Sequence, residues 1–233
     1  MELLCWIQVR RGFALVLGCA LFALVGCGQS DSGNAPAAAN NNDSTVNVAP
    51  GKPAIGSNPA KPMDSKFPEV VLDTTLGRIT LKLNAEKAPL TVSNFLNYVD
   101  RGHYNGTIVH EVQKNFIALL GGYTENLKER SGDFPIRNEA ANGLENKRYT
   151  VAMARLPNSI DSATTHFFIN LSDNKNLDHS GKDAEKFGFC VFGEVIAGRE
   201  VVDQLNTIAT SSKQDFPALP TATIAVQNAK RIK

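Results

Sequence analysis

Hydrophobic residues fall along this chain in three regimes. From Gly12 to Gly26 they run almost without a break. From residue 28 to residue 65 large apolar groups nearly vanish, and Asn, Ala, Pro, Gly and Ser take over. From residue 66 onward they return in short periodic runs set off by turn residues. The third regime, 66–233, reads as the folded domain.

Its periodicities name its elements. Val70-Val71-Leu72 and Ile79-Thr80-Leu81-Lys82-Leu83 flank Thr75-Leu76-Gly77. Ile79, Leu81 and Leu83 alternate with polar residues, as in a half-buried strand, so a hairpin is predicted. Pro89 suits the first position of a helix. Val92, Phe95, Leu96 and Val99 then follow at i, i+3, i+4 and i+7, one apolar stripe, and Gly102 stops it. Asn105-Gly106 marks a turn. Thr107 to Val112 is β-branched at four of six positions, a strand signal. Gln113-Lys114-Asn115 breaks the run, Phe116 to Leu120 resumes it, and Gly121-Gly122 is expected to end it. A polar, mobile loop is expected from Thr124 to Asp133. Val151–Ala154, Phe167–Asn170 and Cys190–Gly193 read as further strands, Glu200–Leu205 as a second helix, and Ile224 and Val226 as part of a last strand. Many short strands with two helices fit a closed antiparallel barrel, which leaves no exposed edge.

Composition adds limits. At 233 residues, 42% hydrophobic and 20% charged, the chain can bury a core in one or two domains. Its 24 basic and 23 acidic residues leave a net charge of +1, no electrostatic footprint for nucleic acid. Cys5, Cys19 and Cys27 precede the domain, and only Cys190 lies inside it, so no disulfide framework follows. Cys190 reads as a small buried hydrophobe.

The first regime has the form of a secretory signal: Arg10-Arg11, a short apolar core, then small residues. It is short for a bilayer span, which needs about 20 residues. Leu24-Val25-Gly26-Cys27 resembles a bacterial lipobox, which implies that residues 1–26 are removed and Cys27 is acylated. An ordinary signal peptide or an uncleaved anchor is the alternative. Stable anchoring takes more than one acyl chain, which a lipoprotein cysteine carries. Gly28 rather than aspartate follows, which favours the outer membrane of a Gram-negative cell. The second regime cannot bury enough surface to offset its ordering entropy, so 27–65 reads as a flexible tether. A coil of that length spans roughly 30–40 Å.

Three blocks carry a family resemblance. They are YNGTIVHEVQKNFIALLGGY at Tyr104–Tyr123, DSATTHFFINL at Asp161–Leu171 and FGFCVFGEV at Phe187–Val195. They resemble the cyclophilin-type peptidyl-prolyl isomerases, whose first block is close to Y-D-G-T-x-F-H-R-V-x-x-G-F-M-x-Q-G-G and whose second is close to S-x-x-S-Q-F-F-I. Thr91, Asn94 and Tyr98 keep step with the family's A-P-x-T-V-x-N-F-x-x-Y-V helix. PIRNEAANGLENKRYTVAMAR at Pro135–Arg155 resembles the bacterial secreted branch, with Tyr149 where a glycine is expected. The resemblance covers about 68–233. It implies a β-dominated fold, a closed eight-stranded antiparallel barrel with two helices; a monomer is expected.

Rotating an X-Pro bond crosses a barrier of roughly 18–20 kcal/mol set by amide resonance. A catalyst needs no nucleophile, metal or cofactor, and none is expected. It needs an apolar cup for the proline ring and a donor for the amide nitrogen as it loses conjugation. The resemblance places Phe116, Ile117, Phe168 and Leu177 in the cup, with Phe189 at its rim. Thr107, Leu119, Asn138, Ala154 and Arg155 fall along the groove. The family's catalytic arginine is replaced by Glu111, and an ionised carboxylate only accepts hydrogen bonds. Leu119 replaces a groove glutamine, Leu120 a glycine, and His166 the glutamine before the two phenylalanines. Glu111, Arg155 and His166 thus occupy or adjoin the catalytic positions. Three accounts stay open: a protonated Glu111, a substitute donor from Arg155 or Lys114, or a lowered rate with binding kept. The expected function is a peptidyl-prolyl isomerase of reduced activity, acting on proline-containing segments of envelope or secreted proteins. The alternatives are a non-catalytic proline-peptide-binding module or chaperone, and a structural lipoprotein.

His110-Glu111 begins like the zinc-protease H-E-x-x-H, but Lys114 stands where the second histidine is required. His103 and His179 read as solvated loop residues, and His110 as a hydrogen-bonded structural one.

Overall fold

A computed structural model describes residues 65–232. The expected signal at 1–26, acylated Cys27 and nearly all of the tether lie outside the described residues.

Ten strands and two α-helices follow in order. They are β1 (Glu69–Thr74), β2 (Gly77–Leu83), α1 (Pro89–Asp100), β3 (Thr107–Gln113), β4 (Ile117–Thr124), β5 (Thr150–Met153), β6 (Phe167–Asn170), β7 (Val191–Ala197), α2 (Arg199–Leu205), β8 (Thr210–Lys213), β9 (Phe216–Pro220) and β10 (Val226–Arg231). Eight of the strands form one antiparallel sheet in the order β10-β1-β2-β7-β5-β6-β4-β3.

The barrel is nearly closed rather than closed. Its first and last strands meet through one isolated bridge, Ile108 with Ala225. The Gly106 and Val109 amides also donate to Val226 and Ile224, at 2.7 and 2.8 Å. Register shifts at Thr107/Val109 and Val109/Glu111 bend β3, as bulges do, and so limit further pairing with β10.

Register decides what faces where. Val112, Ala118, Ile169, Val151 and Gly193 form one cross-strand row, and Leu120, Phe167 and Met153 another. All but Gly193 belong to the main core. The stripe of α1, with Val92, Phe95, Leu96 and Val99, packs into that core. The Phe95 ring lies 5.1 Å from those of Tyr104, Phe167 and Phe192. Burying each such ring is worth about 1.5–3 kcal/mol. No side chain at Ala88 caps α1. Glu139 does so from another segment, accepting from the amides of Leu90 and Thr91 at 3.2 and 2.8 Å, an acid at the helix's positive end.

Two features depart from the sequence expectation. Gly121-Gly122 does not end β4, which runs on to Thr124. A Cβ at Gly121 would lie 2.8 Å from the Thr165 carbonyl, and one at Gly122 would enter the His166 ring. The glycines let neighbouring chain approach; they do not break the strand. The β8–β9 hairpin was not expected at all. Its first strand is polar, and Pro217 and Pro220 mask the second.

The 124–133 segment is tied down. Arg130 donates from its amide to the Gly122 carbonyl, and from Nη1 to the carbonyls of His103 and Asn105. Among the described residues no helix is long and apolar enough to cross a membrane.

Candidate active site

The opposite face of the same sheet carries a second apolar cluster. Glu111, Leu119, Phe168, Ala152 and Val191 form a continuous row from β3 to β7. Cross-strand partners share a face, so this row points away from the main core. Gln113, Ile117 and Asn170 make the adjacent row. On this face Ile117, Leu119, Ala152, Ala154, Phe168, Leu177, Phe189 and Val191 pack together, with half-buried Phe116 and Leu144 against them. The structure thus brings Phe116, Ile117, Leu119, Ala154, Phe168, Leu177 and Phe189 into one place. Phe168 meets Phe189 edge-on, ring centres 5.7 Å apart.

A polar ladder beneath the cluster, missed in the sequence, fixes its two mobile-looking contributors. Phe116 sits in the β3–β4 turn, and Leu177 on a short 3-10 turn, Lys175–Leu177. Asn174 Nδ2 donates to the Phe116 carbonyl at 2.9 Å and to Asn170 Oδ1 at 2.7 Å. Asn170 Nδ2 donates to Asn146 Oδ1 and Thr150 Oγ1. Asn146 in turn donates to Asp178 Oδ1 from its amide and from Nδ2. All three asparagines are buried, and buried amides are tolerated only when bonded in this way. In the sequence Asn146 and Asn174 look like loop composition and Asn170 like a strand end, and only their depth reveals the ladder.

Of the expected groove positions, Thr107 and Asn138 are braces. Thr107 is fully buried and donates through Oγ1 to the Tyr104 carbonyl at 2.7 Å. Asn138 donates from Nδ2 to Gly188 and accepts from the Ala140 amide.

Arg155 corrects the idea of a swinging donor. Its Nε donates to Gly188, Nη1 to Leu156 and Pro157, and Nη2 to Ala184, all main-chain carbonyls at 2.6–3.0 Å. The guanidinium lies 4.9 Å from the Phe189 ring centre and holds the loop that brings Phe189 to the cluster. Lys114 is exposed, and no ion pair to Glu111 forms among the described residues.

His166 also turns elsewhere. Its ring lies 5.5 Å from those of His110 and Tyr123, and Phe216 of β9 packs 4.9 Å from Tyr123. His166 Nε2 and His110 Nδ1 are buried without hydrogen-bond partners. Burial pushes His166 down to about 4 and His110 down to about 3. His110 is therefore a packed neutral ring with Nδ1 unpartnered, and a hydrogen bond to the Ile108 backbone opposes the fall in its pKa. Nor is His103 solvated: it packs 4.7 Å from Tyr98, and burial lowers its pKa. His179 Nδ1 lies 2.9 Å from the Phe187 carbonyl. Cys190 is buried, and burial pushes its thiol up to about 12.

Glu111 is 8% exposed. Burial raises its pKa above the usual carboxylate value, and a bond from Gln113 opposes the shift. Gln113 Nε2 donates to Glu111 Oε1 at 2.5 Å. The sequence reading treats Gln113 as a break between strands. The i, i+2 alternation of a strand, which sets it beside Glu111, was the signal available.

The family model for cyclophilin type peptidyl-prolyl cis-trans isomerase/CLD matches residues 69–230. The chain is 44% identical over 164 residues to peptidyl-prolyl cis-trans isomerase A of Dickeya dadantii, a match covering 70% of this chain and 84% of that protein. It is 46% identical over 161 residues to peptidyl-prolyl cis-trans isomerase cyp18 of Streptomyces antibioticus, covering 69% and 96%. A solved structure of a cyclophilin type peptidyl-prolyl cis-trans isomerase from Cryptosporidium parvum superposes with a TM-score of 0.60 at 22% identity, over 72% of this chain and 98% of that one. That likeness shows the fold.

Proposed function

The chain belongs to the cyclophilin-type peptidyl-prolyl cis-trans isomerases, and we propose that the apolar cluster on the outer face of its sheet receives the substrate's proline ring. As a member of that family the protein is a peptidyl-prolyl cis-trans isomerase. The observation that carries the site assignment is the gathering of Phe116, Ile117, Phe168, Leu177 and Phe189 into one cluster on the sheet face opposite the main core.

The reaction breaks no bond. Uncatalysed, the X-Pro bond turns in tens of seconds or more. A held ring lets the carbonyl side rotate against a fixed partner, and any donor aimed at the twisting nitrogen favours the twisted state over the planar one. Glu111 stands where the family uses a cationic donor, and loss of such a donor costs on the order of 10²–10³ in rate. The enzyme is accordingly slow, and its clients are proline-containing segments of envelope or secreted proteins.

A second reading, a proline-peptide-binding module that grips without turning, is favoured by one observation. Arg155, one of the two candidates for a replacement cation, is committed to four carbonyls. A protease-coupled isomerisation assay on an Ala-Pro-containing peptide, with affinity measured in parallel, separates the two. Slow turnover by the wild type and faster turnover by Glu111→Arg support the isomerase; tight binding with no turnover in either supports the module.

The cellular address belongs to the same proposal. An acylated Cys27 with a tether of roughly 30–40 Å holds the catalytic domain clear of a membrane surface. Fatty-acid labelling that Cys27→Ala abolishes, with release of the protein from the membrane fraction, is the expected result. Unlabelled wild-type protein excludes the anchor.

A further inference from the structure

We propose that Gln113 supplies the hydrogen-bond donor of this site and that Glu111 is its positioning residue. This rests on the reading of the outer-face cluster as the proline site. Glu111 and Gln113 head two adjacent cross-strand rows, Glu111 opposite Leu119 and Gln113 opposite Ile117. Leu119 and Ile117 both belong to the apolar cluster. The Gln113 carbonyl also accepts from the Phe116 amide at 3.0 Å. The side chain of Gln113 therefore stands at the end of the cluster where Phe116 and Ile117 meet.

A side-chain amide has two N–H donors. One is spent on Glu111 Oε1 at 2.5 Å, and the other has no partner among the described residues. Glu111 is nearly buried and Gln113 half-buried, so the carboxylate lies beneath and the amide above it. An ionised carboxylate accepts only, so it must face the NH₂ end of the amide and not its oxygen. That fixes which way the amide points. It leaves the second N–H unpartnered among the described residues, on the half-buried residue opposite Ile117 of the cluster.

The step needs no proton transfer. As the X-Pro bond twists, the prolyl nitrogen loses conjugation and becomes an acceptor. The free N–H donates to it, and the bond is released when planarity returns. A neutral amide donor is roughly half as strong as a charged one, so Gln113 gives a slower enzyme than an arginine would.

Protonation of Glu111 undoes the arrangement. A carboxylic acid can donate to the amide oxygen, and the amide is then no longer held with its NH₂ end inward. The groups on and around β3 bear on this. His110 and Tyr123 face each other in the ring cluster. Lys114, Lys213 and Asp215 are exposed, and Arg231 pairs with Asp100. Lys230 is exposed at the far end of β10. None of these pairs with Glu111.

The test uses the full chain and an Ala-Pro-containing peptide, with kcat and peptide affinity measured from pH 4 to 8. Gln113→Leu is expected to lower kcat on the order of 10² with affinity changed less than about threefold. Glu111→Gln is expected to lower kcat less, and to remove the fall in rate that the wild type shows on acidification through the Glu111 pKa. Both variants keep His110 and His166, so any loss common to all three proteins is assigned to those rings. Wild-type turnover that Gln113→Leu leaves unchanged overturns the proposal alone. A wild-type rate that rises on acidification overturns it in favour of a protonated Glu111 as donor. A wild-type chain that neither binds nor turns over the peptide overturns the reading of the site and this proposal with it.

Discussion

Arg155 Nε donates to the carbonyl of Gly188 at 2.9 Å, directly before Phe189, whose ring the same guanidinium covers at 4.9 Å. The arginine is thus a clamp on one wall of the proposed pocket. Arg155→Ala removes a donor from four carbonyls; Gly188 keeps Asn138 Nδ2 and Leu156 keeps the Ser159 amide, while Pro157 and Ala184 lose theirs. Hydrogen bonds to a charged group are worth about 1.5–3 kcal/mol, so a loss of about 2–4 kcal/mol in unfolding free energy is expected. Peptide affinity should fall with it, while kcat for bound peptide changes little. A variant as stable as the wild type but without turnover would instead make Arg155 a donor to substrate.

Phe116 and Phe168 should separate binding from stability. Phe168 is fully buried in the outer cluster, and truncating such a ring costs about 3–5 kcal/mol. Phe116 is half-buried in a turn. Phe116→Ala is expected to cost less than about 1.5 kcal/mol of stability and to weaken proline-peptide binding by about 1–2 kcal/mol, read by denaturant unfolding and titration. Equal effects on both properties would place Phe116 in the ordinary core.

Most of this architecture was legible because its strands obey simple periods. The α1 stripe repeats every three to four residues and β2 alternates, each as a one-sided surface requires. The cup residues were legible only through the motif. Ile117, Leu119, Phe168 and Val191 look the same in sequence whether they face inward or outward, and it is cross-strand register that sends them away from the main core. Polar residues hid the rest. Asn146 and Asn174 lie in loops and Asn170 at the end of β6, and the three converge only in three dimensions. Gln113 and Gly121-Gly122 carried strong local breaker signals, which the pairing of β3, β4 and β6 overrode. Arg155 stayed ambiguous for a related reason: a chain position says that an arginine is near the groove, but not that loop carbonyls will take its donors.

Acid should destabilise the protein through the ring cluster. His110 and His166 have folded pKa values of about 3 and about 4, against about 6.5 in an unfolded chain. The folded state binds fewer protons between those limits, so stability is full above pH ~6.5 and falls as pH drops towards 4. Each pH unit in that window carries about 1.4 kcal/mol per histidine. Glu111 acts with the opposite sign. Its raised pKa costs stability at neutral pH, and that cost disappears as the carboxyl is protonated. Thermal unfolding from pH 7.5 to 4 should show a net fall, made shallower by His166→Gln. Glu111→Gln should raise the melting temperature at neutral pH. A melting temperature independent of pH over this range would mean that neither ring stays neutral.

The asparagine ladder should control the pocket without touching a ligand. Asn174 joins the turn holding Phe116 to β6 through Asn170. Its own carbonyl accepts from the Leu177 amide at 2.9 Å. Asn174→Ala keeps that backbone bond but removes the amide that donates to the Phe116 carbonyl, and it leaves Asn170 Oδ1 buried without its donor. The expected cost is about 1–3 kcal/mol of stability. Because the Phe116 carbonyl loses one of its two donors, peptide KM should rise more than kcat falls. Asn174→Asp is the sharper variant: it matches the shape but offers only acceptors to two oxygens, so it should be worse than alanine on both counts. If Asn174→Asp instead matches the wild type, the Phe116 turn is held by the Leu171 amide, which donates to the same carbonyl at 2.8 Å, and the ladder is dispensable for binding.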